Sequence, residues 1–187
     1  MRLVGGMANR QIARDLGVSP KTIDERIARL GRHCMLFHGK QMQNAPPDRE
    51  LVVDGFETFE LSQYYPFHIN LAVEKHTDFL VYFTDSELRR KGRMTDYQKK
   101  RRSQLEDTFG RPDPKAIQKG MRELLEVSLK GTSGAIVYSD DHPSYPPAIR
   151  RVPCRITHRV TSSKVRRTRS NPLWEVNLTD LLIRHSE

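Results

Sequence analysis

Long apolar runs are missing from this chain, cysteine is scarce, and acid is almost absent from two segments. No stretch reaches the ~20 apolar residues of a membrane span, and the Arg-containing N-terminus lacks a signal-peptide core. A soluble, cytoplasmic protein with no membrane partner is expected. The two cysteines, Cys34 and Cys154, stand far apart. That spacing shows neither a paired-cysteine zinc site nor a disulfide framework, so both are expected as free thiols. No internal repeat is visible. What is present is a 187-residue chain with 36% hydrophobic residues, enough for one packed domain of ordinary size and a small appendage, and too short for a large multidomain enzyme.

Charge is the informative quantity. Lys and Arg number 32 against 23 Asp and Glu, a net charge of +9, which favours a polyanionic partner. The charge is segregated: residues 89–102 hold eight basic residues and one acid, and residues 150–169 hold eight basic residues and no acid. Each run alone reads equally as a solvated face or loop. Two such runs flanking apolar strands favour phosphate binding.

Near the N-terminus, Ile12, Ala13, Leu16, Val18, Ile23, Ile27 and Leu30 recur at helical spacing. Gly17-Val18-Ser19-Pro20 interrupts the pattern with a helix-ending glycine, a capping serine and a proline suited to the first helical position. The pattern predicts two helices, the second running from Pro20 to the mid-thirties. Its exposed face would carry Lys21, Thr22, Arg26 and Arg29 as DNA-binding residues. A plain helical hairpin is the alternative. The string R-Q-I-A-R-D-L-G-V-S-P-K-T-I resembles the helix-turn-helix of transposases and of LuxR-type regulators.

The organisation predicted from these patterns is a helix-turn-helix over 1–38, a linker over 39–50 around Asn-Ala-Pro-Pro, and a core over 51–187. In the core LVVDGFETF, HINLAVE and FLVYFTDS read as three strands of an antiparallel meander. Residues 89–102 read as a loop, in contact with DNA or disordered. A helix from Asp113 and Pro114 to Gly131 follows, then the strand AIVY, a proline-rich turn or short helix, the strand CRITHRV, and a helix from about Pro172. This order is that of a ribonuclease-H-like α/β fold, a mixed sheet with flanking helices, in which the first and fourth strands are neighbours. Asp54 on the first strand and Asp140 after the fourth would then converge. Paired carboxylates of this kind hold Mg²⁺ or Mn²⁺ for phosphodiester chemistry.

Asp54-Gly55-Phe56-Glu57-Thr58-Phe59, the element Ser139-Asp140-Asp141-His142-Pro143 with Tyr145, and His158-Arg159-Val160-Thr161 resemble bacterial insertion-sequence transposases of the DDE type. The resemblance implies metal-dependent DNA strand cleavage and transfer at element ends, a bacterial, nucleoid-associated location, and homo-oligomers on DNA. It implies Asp54 and Asp140 as the first two catalytic and metal-binding acids. It also implies a third acid on the last helix. Asp180, on one face with Asn177 and Arg184, is the choice over Glu175 in the first turn and Glu187 at the terminus. Asp141 is the alternative to Asp140, disfavoured because strand alternation points it the other way. His158, Arg159, Lys164, Arg166 and Arg167 would track the DNA backbone, whereas Trp174 and Tyr145 read as core. Because the family generally continues past this helix, the chain is expected to be a C-terminally incomplete copy. A non-catalytic helix-turn-helix regulator is the rival reading, and a nuclease on the same core is a third.

Overall fold

A computed structural model describes residues 6–43 and 46–185; Asn44 and Ala45 of the expected linker, and Glu187, lie outside the described residues. The chain divides into two compact units, one comprising Met1–Pro46 with Asp180–Glu187 and the other Pro47–Thr179.

In the first unit α1 spans Asn9–Leu16 and α2 spans Pro20–Met42. Gly17 ends α1 at φ 64°, a left-handed conformation that costs glycine little. The Ser19 hydroxyl accepts the Thr22 N–H at 3.1 Å and caps α2, with Pro20 at the first helical position. Ile12, Ala13 and Ile23 form a small core with Met7, Val18 and Ile27 against it. The second helix is longer than the mid-thirties limit expected from the apolar pattern. Gly31 and Gly39 weaken a helix by about 1 kcal/mol each, but neither breaks it, so it continues for 23 residues.

The second unit holds β1 (Asp48–Phe59), β2 (Pro66–Glu74), β3 (Leu80–Glu87), α3 (Asp96–Phe109), α4 (Ala116–Ser128), β4 (Gly134–Ser139), α5 (Tyr145–Ile149) and β5 (Arg155–Val160). The final helix, α6 (Trp174–His185), begins in this unit. The strands form one open sheet in the order β3-β2-β1-β4-β5. The first three make an antiparallel meander, and β4 is parallel to both β1 and β5. This is the mixed, ribonuclease-H-like sheet with flanking helices.

Burial explains why the centre holds. Consecutive residues Leu51, Val52 and Val53 on β1, and Ala72 and Val73 on β2, are wholly buried, as expected of strands covered on both faces. Met121, Leu124 and Leu125 of α4 are equally buried. Beneath α4 a polar seam replaces apolar packing. Asn70 donates to Thr84 and Ser86, and those hydroxyls donate to the backbone oxygens of Gly120 and Ala116. Gly120 is required there, because a Cβ would collide with the Ser86 hydroxyl and crowd Asn70 Nδ2. Arg49, 4% exposed, ties β1 to the end of α4 by donating to the Ser128 carbonyl at 2.8 Å.

The structure corrects three local expectations. Much of residues 89–102 is not a loop: α3 begins at Asp96. It buries no residue, so no apolar period announced it. Its start is instead written in a capping box, where Thr95 accepts the Gln98 N–H and the Gln98 side chain accepts the Thr95 N–H. The next helix starts at Ala116 rather than Asp113, because the Asp113 carboxylate closes a turn onto the Lys115 N–H. Finally, β4 ends at Ser139, so strand alternation cannot decide between Asp140 and Asp141.

Candidate active site

Val52 pairs with Tyr138 across the parallel β1–β4 junction. Asp54 and Asp140 each lie two residues further along, at the carboxyl end of that junction. The buried Tyr145, 1% exposed, joins them: its hydroxyl donates to Asp54 Oδ1 at 3.4 Å. Burial, and then the charges of Asp54 and Asp140, push its phenol well above the usual tyrosine range. The Tyr145 hydroxyl is therefore protonated, with Asp54 as its acceptor.

Backbone hydrogen bonds orient each acid. Asp54 Oδ1 also accepts the Gly55 N–H at 2.8 Å, and Asp140 Oδ1 accepts the His142 N–H at 2.9 Å. Asp141 is engaged elsewhere. It accepts the Ser163 N–H at 3.3 Å, and hydrogen bonding to Ser163 holds its carboxyl below the usual range. It thus anchors the loop after β5, which separates its role from that of Asp140 on grounds other than strand alternation.

Two histidines complete the surroundings. His142 packs against the Tyr145 ring with centroids 4.8 Å apart, and His68 faces His142 at 6.2 Å. His68 is buried, and neither of its ring nitrogens has a hydrogen-bond partner among the described residues. Burial, then His142 and Lys91, lower it to about 4, so it is neutral at pH 7. Its closeness depends on Gly55, where a Cβ would strike His68 Nε2 and the Ile69 carbonyl. Sequence reasoning missed His68, because a histidine alternating with apolar residues on a strand carries no distinguishing pattern. It read Tyr145 as core, which is right for the ring and silent about the hydroxyl.

The remaining expected residues are distributed as follows. Asp180 belongs to the first unit and accepts from Arg184 at 2.7 Å. Glu175 is a structural anchor: it pairs with Lys75 at 2.9 Å and accepts the His76 N–H. Among the described residues no group of three or more His, Cys, Asp and Glu side chains is placed to hold a metal ion. The donor chemistry of the Asp54–Asp140 pair nevertheless fits Mg²⁺ or Mn²⁺ in a sparser mode. Magnesium takes oxygen ligands and is commonly held by one or two carboxylates, with water and substrate phosphate supplying the rest.

Of the expected DNA-contacting residues, Lys21, Arg26 and Arg29 are exposed on α2, Lys21 beside Glu25 at 3.9 Å. The Thr22 hydroxyl is hydrogen-bonded to Ser19. In the second unit Lys164, Arg166 and Arg167 are exposed. Arg159 lies over the Tyr138 ring at 5.5 Å and donates to its hydroxyl. His158 is half-buried, its Nε2 2.8 Å from the Ser139 hydroxyl, and burial lowers its pKa. Its ring thus reaches toward Ser139 at the end of β4.

No family model and no curated protein matches the chain. Among solved structures it is similar to the N-terminal ribonuclease H domain of Rv2228c from Mycobacterium tuberculosis, solved as a fusion with maltose-binding protein. That likeness is at 12% identity and a TM-score of 0.34, covering 74% of this chain and 96% of that one. It is also similar to a chain of the simian T-cell lymphotropic virus intasome in complex with the PP2A regulatory subunit B56 gamma. There the identity is 12% and the TM-score 0.25, covering 76% of this chain and 48% of that one. Strand order and pairing carry the fold assignment by themselves. No described helix is long and apolar enough to cross a membrane.

Proposed function

We propose that the chain is a DNA-processing enzyme of the DDE transposase type, in which the second unit cleaves and transfers DNA strands and the first unit grips the duplex. The single observation that carries this reading is the Asp54–Tyr145–Asp140 constellation at the end of the parallel β1–β4 junction. The resemblance of the Asp-Asp-His-Pro-x-Tyr element supplies the reaction type, and the basic segments supply the polyanionic partner.

Asp54 and Asp140 would hold Mg²⁺ or Mn²⁺. A bound divalent ion supplies charge neutralisation and orientation for a phosphodiester under attack. The chain's own groups do the rest. The Gly55 and His142 N–H groups fix the two carboxylates, and the Tyr145 hydroxyl holds Asp54 in one rotamer. Neutral His68, buried against Gly55 next to Asp54, adds no charge there. Lys21, Thr22, Arg26 and Arg29 would contact duplex DNA through α2. His158, Arg159, Lys164, Arg166 and Arg167 would follow the backbone beside the acids. On DNA the protein would act as a homo-oligomer.

A second reading, a non-catalytic DNA-binding regulator, is favoured by one observation, the helix pair α1–α2 with Lys21, Arg26 and Arg29 exposed on its second helix. Incubation of duplex DNA with Mg²⁺ or Mn²⁺ separates the two. Nicked or joined products that vanish in Asp140→Asn support the enzyme, and salt-sensitive binding without products supports the regulator.

A further inference from the structure

The face of β2 and β3 opposite α4 is open over part of its length: Phe83 is exposed there, while its β2 partner Leu71 is buried. Phe67 and Ile69 on β2, and Phe83, Asp85 and Glu87 on β3, alternate onto this face and floor a groove of about 670 Å³ walled by α3. Three of its aromatic rings are exposed: Tyr65 at 40%, Phe83 at 53% and Phe109 at 74%. Exposed rings gathered in one concavity are unusual for a monomeric surface and mark a binding site.

A second cavity of about 430 Å³ adjoins it, sharing Leu88, Arg89, Arg90, Arg102 and Pro112. Five cationic side chains line this one, Lys91 and Arg111 completing the set, with Asp113 as the acid among them. Two acids beside the cationic side chains are already engaged. Glu106 is bound by Arg89 at 2.7 Å and lies 3.4 Å from Arg102, and Asp113 is bound by Lys119. Among the described residues Arg90, Lys91 and Arg111 have no carboxylate within ion-pair distance. Arg90 instead donates to Gln63 and lies over the Tyr64 ring at 5.1 Å, leaving its Nη1 without a partner.

An aromatic cavity beside a cationic one is the combination that holds a base and its phosphate. We infer that these joined cavities bind a nucleotide of a single-stranded nucleic acid, the base against Phe83 and Phe109 and the phosphate on Arg90, Lys91 and Arg111. The charges set the direction. Asp85 and Glu87 would repel a phosphate but accept the ring and amino N–H groups of a base, so the base lies over β3 and the phosphate toward residues 89–92. A duplex is excluded because its base faces are stacked against one another, whereas this groove needs a free face. The inference does not depend on cleavage or on a metal ion.

The test is the affinity of the full chain for a fluorescently labelled short single-stranded oligodeoxynucleotide, without divalent cation, read by anisotropy. Phe109→Ala is expected to weaken binding by about tenfold, the effect of losing one base–aromatic stack, and Lys91→Glu to weaken it further as salt falls. Phe109→Ala should leave affinity for duplex DNA unchanged. Phe109 and Lys91 are exposed, so both variants should keep the wild-type melting temperature. Unchanged single-strand affinity in both overturns the inference. A change of oligomeric state in Phe109→Ala without loss of strand binding also overturns it, and marks the groove as an interface between copies. A free nucleoside monophosphate that binds as tightly as the strand overturns the assignment to a strand. Loss of metal-dependent cleavage in an acid variant would leave all these readouts unmoved.

Discussion

The Tyr145 hydroxyl stands 3.4 Å from Asp54 Oδ1 across 91 positions of sequence, and it does so from a ring that is otherwise wholly buried. A core residue therefore carries a polar contact that connects the first strand to the segment after the fourth. Tyr145→Phe keeps the ring and removes the contact. Stability should fall by only about 1 kcal/mol, the net worth of one hydrogen bond, while metal-dependent turnover falls by about tenfold as Asp54 loses its orientation. Chemical denaturation beside a kinetic assay checks both, and unchanged turnover would confine Tyr145 to packing.

Gly120→Ala offers a test of the sheet's polar seam with opposing terms. Helix propensity alone favours alanine by about 1 kcal/mol. The added Cβ would meet Ser86 and Asn70, so the seam must open. The expected result is a net loss of stability, seen as a lower melting temperature. A gain would show that α4 slides over β2 and β3 without cost.

Glu175 and Lys75 form a pair of which both members are largely buried, with side chains 9% and 12% exposed. Burial pushes the Glu175 carboxyl up, but Lys75 and the His76 N–H outweigh it and hold it below the ordinary value. A carboxyl depressed in the folded state contributes stability above its unfolded pKa and loses it as pH falls through the folded one. Stability should therefore decline with acidification below about pH 4.5. Glu175→Gln should remove that dependence and cost about 3 kcal/mol at pH 7, because Lys75 is left buried without its partner. Urea melts at several pH values measure both effects.

On α2, Arg26 and Arg29 are exposed and are proposed to meet phosphates. Replacing each by alanine should weaken duplex binding and lower the slope of log affinity against log salt by about 1 per contact. A slope that does not change would remove that residue from the interface.

Much of the second unit was legible because its strands are apolar runs bounded by turn residues, and Leu51-Val52-Val53 and Ile136-Val137 could hardly be read otherwise. The neighbouring positions of β1 and β4 followed from reading the element order as ribonuclease-H-like. What stayed hidden lacked an apolar signal. Helix α3 buries nothing and is written only in Thr95 and Gln98. The groove beside it rests on alternation along β2 and β3, which sorts residues into two faces without saying which is covered. His68 depends on space left by Gly55, a relation between strands that no local pattern carries. Asp180 illustrates the opposite case: a resemblance pointed to an acid on the last helix, and the helix supplied a face, yet its visible partner is Arg184 on the next turn.

The most direct measurement is cleavage and strand transfer on duplex DNA carrying the ends that flank this gene, with Mg²⁺ or Mn²⁺, comparing the wild-type chain with Asp54→Asn. Catalysis by the paired acids requires metal-dependent products from the wild type and their loss in the variant, with duplex affinity unchanged. Products of equal yield from both proteins, or none from either despite tight binding, would contradict it.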